Sequence, residues 1–289
     1  MNIILGATGQ VGSAITDFLL ENKLPVKAVI RDQEKAEILK EKGAEVAIAD
    51  YFDLKALKNA VKEGEVIFVI TPETIKTDDI LGDTKRILEN YRKAIKGSEI
   101  KSIIGLSSGG AHYEKYERHT GSLLMSNMLE HEFVSLPLNQ VFVRPSYYYS
   151  NWLMSIDMVK EKDVLPSFFP SDLKIDMNSP IEVAEFISDI IIKGIDKSEV
   201  IELVGPEKYS SRDVANNMAK VLGREVKVQE IPQEEWFPTM ESIGFSKNAA
   251  ENFIKMTELV TEGNAKLERK GKNPIRLSTT FEKYLKQTL

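Results

Sequence analysis

Glycines stand at every third position in the run Gly6-Ala7-Thr8-Gly9-Gln10-Val11-Gly12, and that spacing suits the binding of a diphosphate. Without a Cβ, glycine lets the chain turn sharply and bring backbone amides close to phosphate oxygens, and the last glycine allows a helix to pack tightly on the preceding strand. A helix that opens here offers unpaired N–H groups and the positive end of its dipole to the anion. The pattern is G-x-x-G-x-x-G rather than the G-x-G-x-x-G of many dinucleotide-binding folds. The physics is the same, and Gly6, Thr8, Gly9, Gln10, Val11 and Gly12 are the candidate phosphate-binding residues.

About 20 residues further on, an acid would accept from an adenosine ribose 2′-hydroxyl, whereas an arginine accommodates a 2′-phosphate. This chain has Arg31 there, followed by Asp32, with Lys35 one helical turn later. Two cations near one spot favour NADP(H) over NAD(H). A solvated helix start is the plainer reading, because Glu34 and Glu37 are also present. Asp50, at the mouth of the third strand, could accept from an adenine amino group or cap a helix. Thr71 and Pro72 end the fourth strand, where a cofactor ribose should pass.

The elements that must position these residues alternate. Strands are expected at Asn2–Leu5, Val26–Ile30, Glu45–Ala49, Val66–Ile70, Ser102–Leu106 and Gln140–Arg144, each rich in Val, Ile or Phe as buried parallel strands are. Helical patterns fall between them, at Val11–Asn22, Glu34–Lys42, Leu54–Lys62, Asp78–Gly97 and Ser122–Phe133. This alternation specifies an α/β fold with a doubly wound parallel sheet of the Rossmann type. Residues 1–150 form the dinucleotide-binding domain, with 180–204 returning to it. Residues 151–179 and 205–289 form a smaller C-terminal α+β lobe. In the lobe, Pro166, Phe168, Phe169 and Pro170 read as loop. Ser210 or Ser211 opens a helix, and Thr279 with Glu282 suggests a capping box for the last one.

Composition narrows the function classes. The 289 residues carry a formal net charge of −6, so no broad basic surface points to nucleic acid. Cysteine is absent, which removes disulfides, thiolate zinc sites and cysteine nucleophiles together. The strand pattern begins at Asn2, leaving no room for a signal peptide, and no apolar run approaches the ~20 residues that span a bilayer. A cytoplasmic protein with a small-molecule substrate and no membrane partner is expected. No cluster of His, Asp and Glu has metal-ligand spacing, so no metal is expected.

Together with Val29-Ile30-Arg31, Ala49-Asp50 and Val143-Arg144-Pro145-Ser146-Tyr147-Tyr148-Tyr149-Ser150-Asn151, the glycine run resembles the NmrA-like branch of the atypical short-chain dehydrogenases/reductases. The resemblance covers roughly residues 1–200. It implies NADP(H) binding and places Pro145 and Tyr147 beside the cofactor. Members include NADPH-dependent quinone and aromatic-compound reductases, and also proteins that bind NADP(H) with little catalysis and act as redox-sensing regulators.

Short-chain reductases usually carry Tyr-x-x-x-Lys after the fifth strand, where the lysine lowers the tyrosine pKa so that its hydroxyl exchanges a proton with the substrate. The spacing occurs here at Tyr51 and Lys55, on the adenine side, and reads as a chance match. Where many NmrA-like proteins place a lysine against the nicotinamide ribose, approximate alignment puts Asn127 or a neighbour. His112, Tyr113 and Tyr148 are the candidate proton donors, with Ser107 as a polariser; Tyr116 and His119 lie nearby in sequence, and His119 and His131 read as surface residues. The expected function is hydride transfer from NAD(P)H to a small planar, quinone-like or aromatic substrate. The alternative is a non-catalytic NADP(H)-binding redox sensor with a protein partner.

Overall fold

The computed structural model describes residues 1–72, 75–115, 121–263, 267–268 and 273–289. Tyr116 and His119 lie outside the described residues. The strands, in chain order, are β1 (Asn2–Leu5), β2 (Val26–Ile30), β3 (Glu45–Ile48), β4 (Val66–Ile70), β5 (Ser102–Leu106), β6 (Asn139–Pro145), β7 (Tyr147–Tyr148), β8 (Val164–Ser167), β9 (Ile175–Asn178), β10 (Glu199–Val204), β11 (Lys208–Tyr209), β12 (Lys227–Glu230) and β13 (Ile275–Arg276). Eight of them form one parallel sheet in the order β13-β10-β6-β5-β4-β1-β2-β3. The fold is therefore the expected doubly wound α/β type.

β1, β2 and β5 are buried along their whole length, which is why they read as unbroken apolar runs. Each fully buried Ile or Leu in them stabilises the fold by about 1.5–3 kcal/mol. On one face lie α1 (Gln10–Glu21) and, later in the chain, the helix over Pro180–Lys193. The first of these buries Val11, Ile15 and Leu19, spaced four apart, in a core shared with Val183, Ile187 and Ile191. α2 (Ala36–Glu41) adds Ala36 and Leu39 to that same core. The other face is covered by α3 (Leu54–Val61), α4 (Ile80–Ile95) and α5 (Leu123–Glu132). Leu57, Leu88, Tyr91, Leu129 and Phe133 fill that second core. The chain winds outward in both directions from the β1/β4 junction, and ligands bind at the carboxyl ends of strands at such a junction.

The helix over Pro180–Lys193 on the main sheet is α7; the lobe uses α6 (Ile156–Lys162), α8 (Ser211–Leu222), α9 (Gln233–Ser242), α10 (Lys247–Thr261) and α11 (Phe281–Thr288). Two small sheets join them, β11-β9-β7 and β12-β8. Tyr149, Leu165, Met218, Phe281 and Tyr284 centre its core. Three details depart from the sequence reading. Pro166 lies in β8 rather than in a loop, and its missing N–H is tolerated because β8 pairs only with β12. The cap of α11 is Thr280, whose side chain accepts from the Lys283 amide, while Glu282 pairs with Lys286. Thr279 lies one residue before this cap, and its amide donates to Glu182 at 2.9 Å. The capping box sits instead on α8, between Ser210 and Asp213.

Candidate functional site

The glycine turn joins β1 to α1. Gly6 adopts φ +67°, a left-handed conformation that costs a residue with a Cβ, and its carbonyl accepts from the Gly9 amide at 2.9 Å. A Cβ on Gly12 would lie 2.3 Å from that same carbonyl oxygen and 2.8 Å from its carbon. Both clashes are with backbone, so the helix can come this close only with glycine at position 12.

The helix start is left open to an anion. Gly9 is the N-cap of α1, no side chain caps it, and no acid occupies the first turn. By contrast, α3, α4, α7, α8, α10 and α11 all open with an Asp, Ser or Thr side chain accepting a backbone amide. The turn thus fits a diphosphate: a cradle that a Cβ would fill, and a helix tip whose amides the protein does not use. Thr8 and Gln10 are exposed beside it and Val11 is buried beneath. The Ser150 hydroxyl donates to Gln10 Oε1 at 2.9 Å, bridging from the segment after β7 to the first residue of α1.

One amide of the run is not available. The Gly6 N–H donates to Tyr51 Oη at 2.7 Å. Gly6 therefore contributes conformation to the cradle rather than a donor. Tyr51 is 3% exposed, held by an edge-on contact with Tyr91 of α4 and by Asn90, whose amide donates to the Tyr51 and Phe52 carbonyls. Burial pushes its hydroxyl pKa up, against the Gly6 hydrogen bond and the Arg31 charge. The Tyr51 hydroxyl is engaged beneath the glycine turn by the Gly6 amide, and the Lys55 amide donates to Asp53 at the start of α3. Sequence reasoning missed the role of Tyr51 because its partner lies 45 residues away. The available signal was an aromatic placed directly after the third strand's acid.

Arg31 leaves β2 exposed, with its guanidinium carbon 5.6 Å from the Tyr51 ring centroid. Lys35, also exposed, ends the short 3-10 turn Gln33–Lys35, which Asp32 caps through the Glu34 amide. Asp50 is exposed and its Oδ1 accepts from the Phe52 amide at 2.9 Å, a local turn.

At the other end of the mouth, Thr71 and Pro72 follow β4, half-buried. Ser107 follows β5, and its hydroxyl donates to Glu130 of α5. Glu130 in turn holds Arg144 of β6 through two bonds of 2.7 and 2.6 Å, and Glu268 takes a third at 2.6 Å. Arg144 is 3% exposed. Burial opposes its charge, but the two carboxylates outweigh it and raise its pKa. Asn127 uses Nδ2 to donate to the Ala111 carbonyl at 2.9 Å, fastening the short turn Ala111–Lys115 to α5.

His112 is half-buried on that turn, with its ring 4.3 Å from that of Tyr113. Its Nδ1 has no hydrogen-bond partner among the described residues. Burial, and then the Arg144 charge, lower its pKa, which favours the neutral imidazole. Tyr113 is buried between Leu123 and Leu259. A cavity of about 560 Å³ gathers His112, Asn127, Glu130, Phe142, Arg144 and Glu268. Tyr148 is not part of it and packs against the core of the α1 face. Pro145 accepts from the Gly109 amide at 2.9 Å. Tyr147 sits edge-on to Trp152 and Phe169, and burial pushes its hydroxyl up to about 12 in spite of a bond to Asn151. His131 Nδ1 meets the Asn127 carbonyl at 2.8 Å. Among the described residues no group of His, Asp and Glu could hold a metal ion, and no helix is long and apolar enough to cross a membrane.

The model of the NmrA-like family matches residues 2–285. The chain belongs to the NmrA-like family. This NmrA-like chain is 24% identical over 252 residues to an NAD(P)H azoreductase of Xenophilus azovorans, covering 87% of this chain and 84% of that protein. It is 24% identical over 256 residues to quinone oxidoreductase 2 of Escherichia coli (strain K12), covering 87% and 85%. Among solved structures it is similar to an NADPH-dependent quinone oxidoreductase of Escherichia coli complexed with NADPH, with a TM-score of 0.81, 22% identity and 99% of each chain covered. That likeness bears on the fold.

Proposed function

We propose that this NmrA-like protein is an NAD(P)H-dependent oxidoreductase that reduces a small planar acceptor, quinone-like or aromatic, and that it prefers NADP(H). The observation that carries the reading is the uncapped start of α1 behind the Gly6–Gly12 contact. The curated relatives, named for azo and quinone reduction, support the substrate class. The amides of Gln10, Val11 and Gly12 would hold the diphosphate. Arg31 and Lys35 would pair with the 2′-phosphate, and Thr71 and Pro72 would flank the ribose. A bound nicotinamide supplies hydride, and the protein supplies orientation and exclusion of water. On the protein's side, the His112 imidazole would share a proton with the acceptor, while Ser107 and Asn127 hold the walls in place.

The test is to mix the protein with NADPH and a panel of quinones and azo dyes, then follow cofactor absorbance. Turnover is expected. Tight binding with no turnover of any acceptor would favour a redox sensor, to which Asn127 at the lysine position also points. Arg31→Ala is expected to weaken NADPH far more than NADH, and equal losses would overturn the preference for NADP(H).

A further inference from the structure

Arg31 and the glycine turn come from different loops, yet both lie against one side chain. The Tyr51 hydroxyl accepts the Gly6 amide at 2.7 Å, and the Arg31 guanidinium lies 5.6 Å from the centroid of the same ring. Gly6 holds its left-handed φ of +67° in a tight setting, with Ile70 Cγ2 3.2 Å and Tyr51 Oη 3.9 Å from where a Cβ would be. The tyrosine itself cannot drift. Tyr91 meets its ring edge-on at 5.4 Å, and Asn90 holds its carbonyl at 3.1 Å. Arg31, in contrast, has an exposed side chain, so its position depends on what it lies against. A long exposed side chain loses considerable rotamer freedom when it must hold one pose, and contact with an aromatic ring offsets part of that cost.

We infer that Tyr51 is a positioning residue for the dinucleotide, its hydroxyl fixing the glycine turn and its ring seating the arginine that selects the 2′-phosphate. The inference rests on the proposed preference for NADP(H) and adds a residue to it. The two halves of the side chain act on different parts of the ligand, so they separate by substitution. Tyr51→Phe removes the hydroxyl and keeps the ring, which loosens a turn that NADPH and NADH use equally. Tyr51→Leu removes both, and the lost ring frees Arg31, which matters to NADPH alone.

The experiment measures dissociation constants for NADPH and NADH by calorimetry, on the wild type, Tyr51→Phe, Tyr51→Leu and Arg31→Ala, each first shown to melt cooperatively. Loss of one hydrogen bond predicts that Tyr51→Phe weakens both nucleotides by about three- to tenfold, with their ratio unchanged. Loss of an exposed cation–π contact predicts that Tyr51→Leu lowers the NADPH preference by a further two- to fivefold, roughly. A merely structural tyrosine would weaken both nucleotides alike in both variants, so an unchanged ratio in Tyr51→Leu overturns the ring's role. Unchanged affinities in Tyr51→Phe overturn the hydroxyl's role. If Arg31→Ala leaves the ratio as in the wild type, the NADP(H) reading itself fails. If Arg31→Ala abolishes the preference while Tyr51→Leu keeps it, only the role of Tyr51 fails.

Discussion

Replacing Gly12 with alanine tests the cradle most directly. The added carbon would sit 2.3 Å from the Gly6 carbonyl oxygen, 2.8 Å from its carbon and 3.3 Å from Ala7 Cα. An ordinary carbon–oxygen contact needs about 3.4 Å or more, so helix and strand must part by about 1 Å, and no flexible side chain can give way instead. Overpacking of this kind costs about 1–3 kcal/mol, and a clash with backbone alone belongs at the upper end. An unfolding entropy of about 2.1 cal/mol/K per residue, taken over 289 residues, amounts to roughly 0.6 kcal/mol/K. A cost of about 2–3 kcal/mol therefore lowers the Tm by about 3–5 °C. The same displacement moves the amides of α1 away from the diphosphate, so NADPH affinity is expected to fall at least tenfold. Gly9→Ala is the control: its Cβ would meet only the Gly6 oxygen, at 3.3 Å, and Gly9 has an extended conformation open to any residue. Thermal melts with calorimetric titration of NADPH measure both effects. A Gly12→Ala protein that melts within 1 °C, or so, of the wild type and binds NADPH as tightly would refute the reasoning, because the close approach would then be neither tight nor needed.

Arg144→Met leaves Glu130 and Glu268 buried without their cation, and breaking such a pair costs about 3–5 kcal/mol; the Tm is expected to drop by about 5–8 °C, and a fall under about 1 °C would show that the carboxylates find other partners. His112 binds protons less readily folded than unfolded, so its contribution to stability is complete above its ordinary value of 6.5 and is lost as pH falls through the lower folded value. Burial lowers that value most, then the Arg144 charge, while Glu268, Glu202 and Glu130 act the other way. Urea melts should show stability declining below about pH 6.5, ahead of the carboxylates such as Glu182 and Asp213 that are held below their usual values; His112→Asn should remove the earlier decline, and an unaltered profile would count against the assignment. Tyr113 is buried between Leu123 and Leu259, so Tyr113→Phe is expected to leave quinone turnover within a few-fold, whereas loss of a general acid costs about 10²–10⁴-fold.

The main sheet was legible because its strands are buried on both faces and so leave continuous apolar runs, as in Val26–Ile30 and Ser102–Leu106. The lobe was less so. β7 and β11 are two residues long, too short to show any period, as is β13 at the edge of the main sheet, and β9 carries Asp176 and Asn178. Two adjacent threonines precede α11, and nothing in the sequence distinguishes Thr279 from Thr280 as the residue that accepts the amide three positions on. The glycine turn was legible for the opposite reason, because all its geometry is local. Tyr51 and the Glu130–Arg144–Glu268 chain were not, because each joins residues far apart in sequence and no spacing rule reaches across the sheet.

The missing lysine on α5 is best understood through what the acceptor demands. Hydride addition to a ketone leaves a strongly basic alkoxide, and a reductase acting on ketones must supply an acid, which is why a lysine acidifies a tyrosine in so many of them. Here α5 contains no lysine or arginine. The nearby cation, Arg144, is consumed by Glu130 and Glu268. Asn127 is turned toward the Ala111 carbonyl, where it holds the turn that carries His112 and Tyr113. The tyrosine hydroxyls respond accordingly: burial drives Tyr51 and Tyr147 upward, away from acidity. On the proposed reading such a site lacks the acidified tyrosine that an alkoxide calls for, whereas a quinone's reduced anion is a much weaker base and can take its proton from His112 or water. On the proposed reading the departure from the reductase pattern is therefore a statement about substrate. On that reading the glycine turn would hold the dinucleotide, and the surrounding chemistry would suit acceptors that do not need a strong acid.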